Sequence, residues 1–129
     1  MKKALIVVDV QNDFLPGGSL AVTDGDKIIP VINSLIEYGK YDEIVYTMDC
    51  HPENHCSFEI WPIHCVQSTK GAKLSNKLTV VEPYNFIKKG ESLTVDSYSG
   101  FFDNDGVTKT RLEEFLKEKE IEEVHIVGL

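Results

Sequence analysis

Residues 4–10 read ALIVVDV, an unbroken apolar run that ends in an acid. A strand with one wet face alternates apolar and polar residues, so a continuous run of this kind suits a strand buried on both faces. Strands of that type belong to parallel sheets layered by helices. The rest of the chain agrees. QNDFLPGGSLAVTDGD (11–26) is a loop punctuated by Pro16, Gly17, Gly18 and Gly25. Ile28, Ile29, Val31, Ile32, Leu35 and Ile36 then recur at helical spacing, with Pro30 close to the first turn and Gly39 where a helix C-cap belongs. EIVYTM (43–48), YNFIKK (84–89) and EEVHIVGL (122–129) read as three further strands. GAKLSNKL (71–78) is compatible with a short helix. Thr110 followed by Glu113 predicts a capping box for a helix whose apolar face is Leu112, Phe115 and Leu116.

This order predicts a single domain over residues 1–129. Its expected form is α/β, three layers (α/β/α) around a mostly parallel sheet. About two helices for four strands leave one face of the sheet thinly covered, and no residue follows Leu129 to return to the core. The chain is therefore expected to lack the C-terminal part of its domain. In sheets of this kind ligands bind beyond the carboxyl ends of the strands. Asp9, Asp49 and the pair Lys88 and Lys89 end the first three strands, so they converge there.

Charge narrows the function. A net charge of −8 lacks the clustered cations of a nucleic-acid surface. No apolar run approaches the ~20 residues needed to span a bilayer. The run after Lys2 and Lys3 is only Ala4–Val8, shorter than the roughly 7–15 residues of a signal-peptide core. Neither nucleic acid nor membrane is expected as a partner, and the expected location is cytoplasmic. Cys50, Cys56 and Cys65 are odd in number and form no CxxC pair, so they read as reduced thiols.

TMDCHPENHCSF (47–58) concentrates metal-ligating residue types. Asp49 and His51 lie two apart on extended chain and share a side. A carboxylate and an imidazole there suit Zn²⁺, Mn²⁺ or Fe²⁺. With His55 and His64, three of the four histidines fall between positions 51 and 64. A solvated polar loop with chance histidines is the competing reading. Asp9 is either a costly buried carboxylate or a cap for the loop that follows. One of Lys88 and Lys89 faces the crevice, and alternation does not say which. Phe14, Trp61 and Tyr98 either cover the core or wall a small pocket.

Five segments in order, ALIVVDVQNDFLPGGSLAV, DCHPENHCSF, WPIHCVQSTKGAKL, IKKGES and DSYSGFFDN, resemble the nicotinamidase/pyrazinamidase branch of the isochorismatase-like cysteine hydrolases. The resemblance implies a general base at Asp9 and a catalytic lysine at Lys89, which precedes Gly90. It implies metal ligands at Asp49, His51 and His64, and His55 matches a position that is a further ligand in some relatives. It also implies aromatic contacts to the substrate ring from Phe14, Trp61 and Tyr98. The implied cofactor is a divalent metal ion (Zn, Fe or Mn), and the implied partner is a small-molecule amide. A homo-oligomer is compatible with all of this. The implied reaction is hydrolysis of nicotinamide, or pyrazinamide, through a cysteine thioester in NAD salvage. One departure stands out: the family nucleophile follows the fourth strand, whereas Cys50, Cys56 and Cys65 match other positions. A truncated or degenerate homologue that binds metal without catalysis is the alternative.

Overall fold

The computed structural model describes residues 1–129. Its regular elements are β1 (Lys3–Val8), α1 (Ile29–Tyr38), β2 (Glu43–Asp49), β3 (Asn85–Lys89), α2 (Leu112–Glu118) and β4 (Glu123–Gly128), joined by long loops with single 3-10 turns. The four strands form one parallel sheet in the order β3-β2-β1-β4. From β1 the chain steps outward through α1 to β2 and β3, then crosses back past β1 through α2 to β4. Right-handed crossovers in opposite directions place the two helices on opposite faces. The crevice at the end of β1, where the direction of winding reverses, is the expected ligand site.

Packing explains why β1 had to be apolar without a break. Leu5 and Val7 join Tyr46 of β2 against Ile29, Ile32 and Ile36 of α1. Ile6 joins Val45 and Ile87 against Leu112 of α2, with Val8, Phe115 and Leu116 around it. Alternate residues of one strand thus feed two cores. The thin cover expected from the sequence is found at β4. Its Val127 packs into the α1-side core, but Val124 and Ile126, which pair in register with Ala4 and Ile6, are 39% and 62% exposed. No helix is long and apolar enough to cross a membrane.

Three local expectations need correction. Gly39 does end α1, yet its φ is −75° and the left-handed residue is Lys40 at 53°. Glycine is needed at 39 for space, because a Cβ there would lie 2.4 Å from the Tyr41 ring. Residues 71–78 contain only the turn Lys70–Ala72. Their backbone pairs instead with the loop after β1: Asn12 N–H donates to Lys73 C=O and Ser75 N–H donates to Val10 C=O, each at 2.9 Å. These tertiary bonds outcompete a local helix. The capping box is not closed either. Glu113 is held by Lys109 and Lys117 at 3.1 and 3.2 Å, while Thr110 Oγ1 accepts from Leu112 N–H at 3.2 Å.

Candidate active site and metal centre

β1 ends in a turn that takes Asp9 out of the strand's alternation. Asp9 has a φ of 53°, a left-handed conformation uncommon for a residue with a Cβ. Two bonds to β2 hold it there. Its N–H donates to Thr47 C=O at 3.0 Å, and its Oδ1 accepts from Thr47 Oγ1 at 2.7 Å. In the β2–β3 register Asp49 lies directly beside Lys89. Lys89 Nζ is 2.9 Å from Asp9 Oδ2 and 2.8 Å from Asp49 Oδ1, and it donates to Ser97 C=O at 2.9 Å. An ammonium has three donors, and all three are used. Lys88 points to solvent, so the structure resolves the choice between neighbouring lysines by register.

All three members are buried, with Asp9 6%, Asp49 7% and Lys89 4% exposed. Their environments separate the two carboxyls. Burial holds the Asp9 carboxyl above its usual range, and the Lys89 ammonium only partly offsets this. Burial also pushes Asp49 up, but His51, when protonated, and the Lys89 ammonium outweigh it and leave Asp49 lowered. Burial opposes the charge on Lys89 too, yet Asp9 and Asp49 beside it raise its pKa. One acid is thus poised to take a proton while the other stays ionised.

On the other side of Asp49 stand the imidazoles. His51 Nδ1 donates to Gly90 C=O at 2.8 Å, and His64 Nδ1 donates to Pro62 C=O at 2.7 Å. A carbonyl only accepts, so each neutral ring carries its proton on Nδ1 and leaves an Nε2 lone pair free. These Nε2 atoms lie 3.6 and 3.9 Å from Asp49 Oδ2, beyond hydrogen-bond reach. His51 Nε2 is fully buried without any partner. Two donors on one tetrahedral Zn²⁺, at ~2.0–2.1 Å each, lie about 3.3 Å apart. The two Asp49–imidazole separations exceed this by only a few tenths of an ångström, and all three donors lie within 4.8 Å of one another, so Asp49, His51 and His64 could close on a divalent ion.

His55 is placed differently. Its ring stacks on His51 with centroids 4.0 Å apart. Its Nδ1 accepts from Ser57 N–H at 3.2 Å, and its Nε2 faces Val95 C=O at 3.3 Å. As oriented it buttresses His51, although His51, His55 and Asp96 form a second close group of donor atoms.

The pocket above these groups has a volume of about 360 Å³, near the low end for ligand sites. Asp9, Asp49, Lys89 and His64 reach into it. Phe14 lies tilted against His64 at 5.6 Å. Trp61 and Tyr98 form the rim, 43% and 62% exposed, with Trp61 Nε1 3.4 Å from Tyr98 Oη. All three aromatics thus stand at the cavity. None of the cysteines lines it. Cys65 is fully buried and burial pushes its thiol well up. Burial raises the Cys50 thiol as well.

Several supporting residues escaped the sequence reading. Gln11 is fully buried and clamps Asp49 by accepting from its N–H at 2.9 Å and donating to its C=O at 2.7 Å. Gly90, with φ 66°, brings its carbonyl to His51, and a Cβ there would lie 2.5 Å from the ring. Thr47, Ser97 and Asp96 complete the setting. A polar residue directly after a buried strand was the one available signal for Gln11.

Comparison with known proteins identifies the family. The Isochorismatase domain family model matches residues 3–129. A nicotinamidase of Acinetobacter baylyi is 44% identical over 146 residues, covering 98% of this chain and 67% of that protein. Among solved structures, an Acinetobacter baumanii nicotinamidase/pyrazinamidase superposes with a TM-score of 0.94 at 40% identity, covering 99% of this chain and 70% of that one. The Pyrococcus horikoshii pyrazinamidase in complex with zinc superposes with a TM-score of 0.85 at 42% identity, covering 100% and 71%.

Proposed function

Since the chain belongs to the isochorismatase-like hydrolases, we propose that it is a nicotinamide amidohydrolase, active also on pyrazinamide, that works through a cysteine thioester. The observation that carries this reading is the single pocket in which Asp9 and Lys89 pair beside a carboxylate–imidazole donor set. The relatives named as nicotinamidases support the substrate.

The chemistry divides among this chain's residues. The substrate ring lies between Phe14, Trp61 and Tyr98. Asp9 accepts the proton of the nucleophilic thiol, and Lys89 Nζ stabilises the thiolate. The thiolate adds to the carboxamide carbon. Asp9 returns the proton to the departing nitrogen, which leaves as ammonia, and a thioester remains. Asp9 then takes a proton from water as the water attacks, releasing nicotinate and the thiol. Asp49, His51 and His64 would hold a divalent ion, which would supply a Lewis acid that helps to position the substrate. The resemblance assigns the thiol to the segment that follows β4, and neither the buried Cys65 nor the raised Cys50 suits the role. Release of nicotinate places the reaction in pyridine-nucleotide salvage.

The test is ammonia release from nicotinamide by metal-loaded polypeptide, with and without the residues that follow β4 in its reading frame. Extended protein is expected to turn over and to lose at least about a thousandfold in rate as Asp9→Asn. Residues 1–129 alone are expected to bind metal and release no ammonia. An extended protein that binds metal but releases no ammonia would overturn the reading in favour of a metal-binding homologue.

A further inference from the structure

At the edge of the sheet away from β1 lies a surface that the active site does not use. β3 pairs with β2 alone, so its far edge is open. Lys89 turns its C=O toward β2, where it accepts from Cys50 N–H at 2.8 Å. Backbone groups alternate along a strand, so the N–H and C=O of Phe86 and Lys88 face the open edge. Their side chains are exposed, Phe86 at 43%. The Tyr84 ring, 57% exposed, stacks on Phe86 with centroids 6.0 Å apart. Between this edge and α2 runs a groove of about 250 Å³, with Arg111 at its α2 start and Glu118 at its α2 end. Glu113 already holds Lys109 and Lys117, whereas Arg111 and Glu118 are left without an ion-pair partner.

We propose that a second copy of the chain docks on this edge, β3 against β3, antiparallel about a two-fold axis at Ile87. In that register Phe86 of each copy lies opposite Lys88 of the other. Both are the outward-facing residues, so each pair exchanges N–H···O=C bonds in both directions, as a hydrogen-bonded antiparallel pair does. A lone lysine normally guards a sheet edge against indiscriminate pairing. Here the two-fold sets Lys88 beside the partner's Phe86 ring, a cation–π contact instead of a repulsion. The same operation runs the two α2 helices antiparallel on one face, bringing Arg111 of each toward Glu118 of the other. This charge pattern selects the occupant. An acidic peptide would meet Glu114 and Glu118 and a basic one would meet Arg111 and Lys88, but a two-fold copy is complementary at both ends.

Sedimentation equilibrium across the micromolar range tests the proposal. The unmodified chain is expected to show a monomer–dimer equilibrium. Lys88→Pro removes an outward N–H that the β2 ladder does not use, and it should leave monomer only. Arg111→Glu and Glu118→Arg, both on the surface, should each weaken dimerisation by about tenfold or more. The double exchange should restore it, with circular dichroism unchanged throughout. The surface is the wrong one if the unmodified chain is monomeric over that range. It is also wrong if a dimer forms but ignores all these changes, as pairing through β4 would.

Discussion

Asp49 has one oxygen in each of two clusters. Its Oδ1 meets Lys89 at 2.8 Å, in a triad with Asp9 whose ammonium donors are all used. Its Oδ2 faces His51 and His64 at 3.6 and 3.9 Å, where no proton is available to be shared. The first cluster is closed: every donor of its ammonium is taken by a protein oxygen. The second is open: two lone pairs and a carboxylate oxygen face a common point, and one of those atoms is buried without a partner. Burial costs the same kind of free energy in both places. In the triad the protein's own groups offset part of it, whereas in the imidazole half a buried lone pair is left without a partner.

The most severe way to break this contrast is Lys89→Ala. It strands Asp9 and Asp49 as neighbouring buried carboxylates, which costs about 3–5 kcal/mol. Urea unfolding of the metal-free protein is expected to show that loss, and removal of metal from the unmodified protein should cost less. Next come Asp49→Ala and His51→Ala, each expected to lower bound metal to background in elemental analysis. His55→Ala, which removes only the ring stacked on His51, should weaken metal binding by about 10–100-fold without abolishing it. Gly90→Ala tests the link between the backbone and the open cluster. A left-handed φ and a Cβ 2.5 Å from His51 should destabilise by roughly 1–3 kcal/mol and reduce metal affinity, while Asp9 and Lys89 remain paired.

Acidity separates the halves as well. The folded pKa of Asp49 is lowered, so its contribution is present above the unfolded value of about 3.9 and is lost as pH falls through the folded one. Lys89 is raised, so its contribution is full below about 10.4 and is lost as pH rises through the folded value. Asp9, also raised, works against the plateau. Its share is present below about 3.9 and disappears as pH rises through its folded pKa. Metal-free protein should therefore lose stability at both extremes in pH-dependent thermal melts. The open half should respond earlier. Burial opposes charge on His51, but Asp49 and the Gly90 carbonyl raise its pKa, and a ligand imidazole must be neutral. Metal affinity should then weaken on acidification as His51 takes up a proton. The smallest effect is expected for Lys88→Ala, which should change the stability of the folded monomer by no more than about 0.5 kcal/mol and leave ammonia release intact.

The closed cluster was the more legible half. Asp9 and Asp49 announce themselves as acids at the ends of apolar runs, because an unpaired charge there is too costly to keep without a partner. Lys89 could be told from Lys88 only through the resemblance, and in the structure through the Asp49–Lys89 register. The histidines were visible as residue types, but the free lone pair on His51 depends on a carbonyl at Gly90, 39 positions away. Gln11 was marked only as a polar residue after a buried run, and its role was hidden for the same reason. Its role is set by the two backbone groups of Asp49 that it spans, not by anything adjacent in sequence.

The linear chain was enough to specify a parallel α/β sheet, its four strands, its two helices and the edge of the sheet at which chemistry gathers. Apolar periodicity and burial cost act over a few residues, so they can be read in order along the chain. Folding alone settled that 71–78 pairs with the β1 loop instead of forming a helix, that Gly39 makes room for Tyr41, and that Thr110 accepts from Leu112 N–H without a capping box. It also settled that one carboxylate meets an ion triad with one oxygen and faces two imidazoles with the other. These outcomes depend on hydrogen bonds and close approaches between residues far apart in sequence, where local propensities of a few tenths of a kcal/mol are outweighed.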